Sequence, residues 1–182
     1  MSILINENTT FIVQGITGRE AVNLTRECLD YGRGAKVVGG VTPGRKGREV
    51  HGVPVFDTVA QAVEHHGGPI DGSVVTVPPA FTKDAVFEAL QNGIKIIVIV
   101  TERIPRRDVA QMVELADMHG ARIIGPNCLG IIVPDVIKMG GIGGPAKDAA
   151  KAYTPGSIGV ISRSGGMTTE MSSTLTAAGL GQ

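Results

Sequence analysis

The chain has no Trp, and aromatic residues make up only 3% of its 182 positions, although the hydrophobic fraction of 42% is ordinary for a globular protein. It has no excess of either charge: 17 Lys and Arg balance 17 Asp and Glu, with no strongly basic block. That excludes bulk electrostatic binding to nucleic acid. Only two cysteines occur, Cys28 and Cys128, which fits a reducing compartment rather than a disulfide framework. The longest apolar run, residues 94–100 with Lys95 inside it, is far too short to span a bilayer. The N-terminal segment from Met1 to Glu7 lacks the basic start and long apolar core of a signal peptide. The expectation is a soluble protein of the cytoplasm or mitochondrial matrix, without a membrane or nucleic-acid partner. His51, His65, His66 and His119 make no ligand spacing with either cysteine, so no metal site is expected.

What the sequence does have is glycine, 26 residues of it, concentrated at turns. The first such turn runs Gln14-Gly15-Ile16-Thr17-Gly18-Arg19-Glu20, after the apolar residues 10–13 and before a stretch with Ala21, Leu24, Cys28 and Leu29 on one helical face. Strand, glycine turn and helix together aim backbone N–H groups and the positive end of a helix dipole at an anion. Gly15 and Gly18 permit close approach of a ligand, and Thr17 and Glu20 have capping-box spacing. The pattern falls short of G-x-G-x-x-G, so a tight strand–helix turn with no ligand stands beside the anion-binding reading.

Strand-like runs recur at 11–13, 36–41, 73–77, 94–100 and 122–124, with helix-like stretches at 19–30, 58–66, 82–92 and 105–119. Parallel strands require crossovers, so this alternation predicts an α/β fold, a doubly wound Rossmann-like parallel sheet. Gly93 and Gly120 stand where left-handed residues end helices. Residues 1–133 read as one domain and 134–156 as a linker or loop, with a short helix around 147–152. Residues 157–182 read as the start of a second α/β unit, with a strand at 158–161 and a helix at about 168–177. One βα unit cannot bury both of its faces, so this last segment calls for a partner surface or further sequence.

Ligands of such sheets bind beyond the carboxyl ends of the strands. The second strand end, Val41-Thr42-Pro43-Gly44-Arg45-Lys46-Gly47-Arg48, carries three cations where an unphosphorylated ribose would call for Asp or Glu. It suits an adenosine with an extra ribose phosphate, as in coenzyme A or NADP, or else it is a solvated basic loop. At the third, Val77, Pro78 and Pro79 predict a rigid extended edge. At the fourth, Val100, Thr101 and Glu102 either face the crevice or cap the helix after Pro105. At the fifth, Asn127 can donate and accept, while Cys128 is a nucleophile or an inert turn cysteine. Ser164, Gly165 and Gly166 open the last helix, where backbone N–H groups could meet a carboxylate.

In this order these segments resemble the α subunit of succinyl-CoA synthetase and its relatives, malate–CoA ligase, citryl-CoA synthetase and ATP-citrate lyase. The resemblance runs from Met1 to Gln182. Its motifs are Ser2-Ile3-Leu4-Ile5, Gln14-Gly15-Ile16-Thr17-Gly18, Val38-Gly39-Gly40-Val41-Thr42-Pro43-Gly44, Gly52-Val53-Pro54-Val55-Phe56, Thr101-Glu102, Gly125-Pro126-Asn127-Cys128 and Ser162-Arg163-Ser164-Gly165. It implies a CoA-binding domain of a nucleotide-dependent acid–CoA ligase. Gly15, Thr17, Gly18, Arg19 and Glu20 would hold CoA phosphates, and Val41, Pro43, Arg45 and Lys46 the adenosine end. Val77, Pro78, Val100, Thr101 and Glu102 would line the adenine and pantetheine path, with Asn127 and Cys128 where the thiol arrives. Ser164, Gly165, Gly166 and Thr169 would form part of the acid pocket. The family reaction passes through a phosphohistidine that lies beyond Gln182, so no catalytic residue is assigned in this chain. ATP or GTP with Mg would sit on an ATP-grasp β subunit in a hetero-oligomer.

Departures from the family pattern bear on specificity. Arg19-Glu20 follows Thr-Gly where Ser-Gln or similar is usual, and Arg45 stands for a lysine with Lys46 next to it. Gly166 and Thr169 stand where the succinyl-CoA synthetase pattern has Thr and Tyr, which predicts a wider pocket for a bulkier or hydroxylated acid. Two other readings remain: a stand-alone CoA-binding module, and an NADP oxidoreductase domain with no evident acid–base group at its glycine turn.

Overall fold

The computed structural model describes residues 3–34 and 36–182. Met1, Ser2 and Ala35 lie outside the described residues, and with them the start of the N-terminal segment judged not to be a signal peptide and the first motif residue. Seven strands form the main sheet: β1 (Thr10–Gln14), β2 (Lys36–Val41), β3 (Glu49–Val50), β4 (Val53–Phe56), β5 (Gly72–Val75), β6 (Ile96–Ile99) and β7 (Arg122–Ile124). Their spatial order is β3-β4-β2-β1-β5-β6-β7, all parallel except β3, which pairs antiparallel with β4. The chain steps outward from β1 to β2 and β4, then returns to place β5, β6 and β7 on the other side of β1. The reversal between β1 and β5 makes the switch point of the doubly wound sheet.

That reversal decides which face each helix covers, because βαβ crossovers share one hand. Helix α1 (Arg19–Leu29) lies on one face, where Ala21, Leu24 and Cys28 pack with Phe11, Val13, Val37, Val74 and Val98. Helices α2 (Val59–His66), α3 (Pro79–Gln91) and α4 (Arg106–Met118) share the other, packing on Ile12, Val41, Val75, Ile97 and Ile99. One helix cannot cover a face that three cover on the opposite side. The remainder is closed by the antiparallel hairpin β8 (Gly130–Val133) and β9 (Ile137–Gly140), whose Ile137 and Met139 enter the α1 core. The hairpin lies so close to the sheet that a Cβ on Gly72 of β5 would come within 2.5 Å of the Met139 Cε.

The segment 134–156, expected as linker or loop, thus contributes a core strand and then α5 (Ala146–Ala152), the short helix expected there. Helix α6 (Gly165–Ala177) packs back on α5. The strand expected at 158–161 does not form, and Ile161 is fully exposed. Its backbone has no neighbouring strand to pair with. Residues 154–158 instead bond to the chain end: Gln182 N–H donates to Thr154 O (2.7 Å), Gly156 N–H to Gln182 O (3.0 Å) and Ile158 N–H to Gly181 O (3.2 Å). The strand β4 was not expected either; its run Val-Pro-Val-Phe is short and carries a proline. Pro78 and Pro79 do not extend an edge. Pro79 starts α3, at the position where a missing N–H costs nothing.

Candidate functional site

The carboxyl ends of the parallel strands meet along one continuous rim. Gly15 leaves β1 with φ +87°, and its N–H donates to Val41 O of β2 at 2.7 Å. Thr17 Oγ1 and Thr42 Oγ1 lie 3.2 Å apart, tying the glycine turn to the β2 loop. On the other side of β1, a Cβ at Gly15 would stand 2.8 Å from Thr76 Oγ1 and 3.1 Å from Val77 N. Only a glycine therefore fits between the two strand ends. Thr101 Oγ1 donates to Val77 O at 2.7 Å, and Asn127 N–H donates to Thr101 O at 3.0 Å. Hydrogen bonds thus join Val41 to Gly15, and Val77 through Thr101 to Asn127, while close packing of Gly15 on Thr76 and Val77 closes the rim between them.

The glycine turn presents donors. Gly18, not Thr17, is the N-cap of α1, and no side chain caps the helix. The first intrahelical bond is Val22 N–H to Gly18 O, so the N–H groups of Arg19, Glu20 and Ala21 precede the ladder at its positive end. Thr17 spends its hydroxyl on Thr42 instead of on capping. Arg19 and Glu20 are exposed and pair with each other at 3.4 Å. The β2 loop is rigid in its backbone and open in its side chains. Asp57 accepts from the N–H groups of Arg45 (3.0 Å) and Lys46 (3.1 Å), while both side chains and Arg48 are exposed. Among the described residues, none of these three cations forms an ion pair. Asp57, Thr42 and Thr76 were not singled out from the sequence; each is a small polar residue just past a strand, which is the signal that could have found them.

Thr101 neither enters the crevice freely nor caps α4, whose N-cap is Pro105 without a side-chain bond. Glu102 is exposed and pairs with Arg103 at 3.4 Å. Val77 and Val100 are half-buried, and Pro43 and Pro78 are exposed. Asn127 takes φ 54° in a loop that hooks under β6, where Cys128 N–H donates to Ile99 O. The Cys128 sulfur is half-buried and accepts from Gly130 N–H at 3.3 Å. The other cysteine is closed off: burial pushes the Cys28 thiol up to about 11. No group of three His, Cys, Asp or Glu among the described residues could hold a metal ion.

Helix α6 brings its start to this rim. A Cβ on Gly165 would lie 2.5 Å from Leu129 Cδ1, so that glycine packs against the residue next to Cys128. Ser164 is the N-cap and accepts from Met167 N–H, leaving the N–H groups of Gly165 and Gly166 ahead of the ladder. The side chain of Thr169 is already engaged. Its hydroxyl lies 3.0 Å from the phenol oxygen of Tyr153, a residue 2% exposed, and Thr168 Oγ1 donates to Ser164 O. Tyr153, the C-cap residue of α5, thus stands against Thr169.

Residues 6–103, more than half of the chain, match the family described as CoA binding domain. The chain belongs to the CoA-binding domain family. It is 43% identical over 182 residues to the ADP-forming succinate–CoA ligase subunit alpha 1 of Archaeoglobus fulgidus, covering 100% of this chain and 59% of that protein. It is 42% identical over 184 residues to the corresponding subunit alpha of Aquifex aeolicus, covering 100% of this chain and 57% of the relative. The chain thus spans less than two thirds of the length of these relatives. Among solved structures, ATP citrate lyase from Methanothrix soehngenii, in complex with citrate and coenzyme A, superposes with a TM-score of 0.84. That match covers 96% of this chain and 30% of the lyase at 22% identity, and it speaks for the fold. All the residues matched by the family model lie on the rim's first four strand ends or upstream of them; Asn127, Cys128 and α6 lie outside it. No helix among the described residues is long and apolar enough to cross a membrane.

Proposed function

We propose that this chain is the CoA-binding portion of the α subunit of a nucleotide-dependent acid–CoA ligase. The observation that carries the reading is the joined rim, in which an uncapped helix start, an unpaired basic loop and a half-buried cysteine follow one another across the strand ends. CoA is an elongated ligand with a pyrophosphate, a ribose phosphate and a distal thiol. The α1 N–H groups would take the pyrophosphate and Arg45 and Lys46 the ribose phosphate. Thr101 and Glu102 would border the pantetheine arm on its way to Asn127 and Cys128. The thiol would then lie beside the start of α6, whose Gly165 and Gly166 N–H groups suit the carboxylate or acyl phosphate of a di- or tricarboxylic acid such as succinate, malate or citrate. Holding thiol and acyl group in one geometry lowers the barrier of their encounter.

The nucleotide chemistry, with ATP or GTP and Mg, belongs in this reading to a β subunit, and the assembly is a hetero-oligomer. The name of the relatives, subunit alpha, supports a partner of that kind. Titration calorimetry tests the proposal with three ligands. CoA should bind more tightly than dephospho-CoA, and NADP should not bind. Replacing Arg45 and Lys46 together by Ala should bring CoA and dephospho-CoA to within about threefold of each other, since each charge-assisted contact contributes about 1.5–3 kcal/mol. Equal affinity for both in the unaltered protein would refute the phosphate assignment, and tight NADP binding would return the oxidoreductase reading.

A further inference from the structure

Gln14 is 2% exposed at the end of the central strand, and its side chain points to the face occupied by α3, among apolar neighbours. A primary amide in such a place is costly unless it is hydrogen-bonded. Here both ends are used: Nε2 donates to Ala85 O of α3 at 2.9 Å, and Oε1 accepts from Ser73 Oγ of β5 at 2.8 Å. Ser73 is itself fully buried. The backbone of the same residue is clamped as well, because Gln14 O accepts from Thr76 N–H at 3.0 Å and from Thr76 Oγ1 at 2.7 Å. Three of these four bonds cross the gap between β1 and β5, the switch point where the crevice opens, and the fourth ties β1 to α3. They sit directly beneath Gly15, which Thr76 passes so closely that no side chain fits there.

We propose that Gln14 and Ser73 form a positioning pair that sets the Gly15–Gly18 turn against the β5 strand end and the middle of α3, and so presets the phosphate-binding N–H groups. The inference rests on the CoA reading above. An apolar residue at 14 would pack the same core equally well, so the amide is not needed for burial. What it adds is a fixed distance between three elements whose ends form the ligand site. Preset donors bind an anion more tightly than donors that must be ordered by the ligand.

The test uses the 182-residue chain carrying Gln14→Met together with Ser73→Ala. Removing both partners leaves no orphaned buried hydroxyl or amide oxygen, so folding should survive with a thermal midpoint within a few degrees of the unaltered protein. CoA affinity should fall at least tenfold, and the backbone amide signals of Gly15 and Gly18 should shift or broaden in a nitrogen–proton correlation spectrum. Ser73→Ala alone, which keeps the bond to Ala85, should give an intermediate affinity. A folded double variant with unchanged CoA affinity and unchanged turn signals overturns the proposal. If the double variant unfolds, Ser73→Ala decides: unchanged CoA affinity there also overturns it. Failure of the unaltered chain to bind CoA would instead strike at the CoA reading itself.

Discussion

Gly15 and Gly18 share one turn but differ in what surrounds them. Gly15 has φ +87° and Thr76 against its missing side chain, so a larger residue meets both a strained backbone and a clash. Gly18 has φ −68° and ψ 146°, which any residue adopts, and a Cβ there would meet Gly15 O at 3.2 Å and the Ala21 Cβ at 4.0 Å. Gly18→Val should therefore fold with a loss of stability below about 1 kcal/mol, yet lose CoA binding because its side chain fills the anion site. Gly15→Val should be destabilised by about 3 kcal/mol or more, from left-handed strain plus overpacking. Urea titrations and calorimetry on the two variants separate the effects, and CoA binding by Gly18→Val at unaltered strength would rule out its place at the phosphates. The sequence singled out both glycines but not their different backbone conformations, because spacing is blind to φ. It was equally blind to Thr17 and Thr169. Their hydroxyls bond to Thr42 and Tyr153, partners 25 and 16 residues away, and no local pattern announces such a bond.

At the scale of elements, the hairpin β8–β9 was invisible because its strands are short and glycine-bounded, and because its role depends on a face that α1 leaves bare. Its least expected residue is Lys138, fully buried in β9. The ammonium donates to Ile142 O at 3.2 Å and to Gly144 O, and pairs with Glu27 of α1 at 3.5 Å. Burial pulls its pKa down, while Cys28 and Glu27 beside it act the other way. Lys138→Met would strand two carbonyls and a carboxylate, and should cost about 3 kcal/mol in a urea unfolding curve. A loss under about 1 kcal/mol would show that water replaces the ammonium without difficulty. The same junction predicts an alkaline limit. Cys28 has an ordinary value of 9.0 and is held at about 11 in the fold, chiefly by burial. Below pH 9 the thiol is protonated in both states, and the folded state gains nothing or loses nothing by it. As pH rises towards about 11 the unfolded thiol ionises while the folded one does not, so stability drains away by about 3 kcal/mol. Cys28→Ala should flatten that part of the pH–stability curve, while the Tyr31 and Tyr153 titrations, also raised by burial, remain in both proteins. Identical slopes from pH 8.5 to 11 would remove Cys28 from the account.

At the scale of the molecule, most of the main sheet was legible, because uninterrupted Val and Ile runs between amphipathic helices leave few alternatives to parallel strands with crossovers. The same apolar pattern misled at 158–161, where a strand-like run has no neighbour to complete its hydrogen bonds. The rim follows from the sheet's order: five strand ends that lie up to 112 residues apart in sequence, Gly15 to Asn127, become one row of bonded neighbours. A ligand that spans such a row should stabilise the whole fold, since it touches β1, β2, β5, β6 and the loop after β7 together and none of them when unfolded. At a free CoA concentration of 100 times its dissociation constant, mass action adds about 2.7 kcal/mol. For a chain of 182 residues this converts to a rise in thermal midpoint of roughly 5–11 °C, at 2–4 °C per kcal/mol. Calorimetric scans at a fixed protein concentration should show that rise with CoA, a smaller one with dephospho-CoA and none with NADP. Fragmented ligands sharpen the point: adenosine 3′,5′-bisphosphate should engage the glycine turn and the basic loop but leave Thr101, Asn127 and Cys128 free, and pantetheine the reverse. Each alone should raise the midpoint by less than CoA at the same multiple of the CoA dissociation constant, because only the joined ligand secures both halves of the rim. A full-sized shift from the bisphosphate alone would mean that the pantetheine arm lies off this surface.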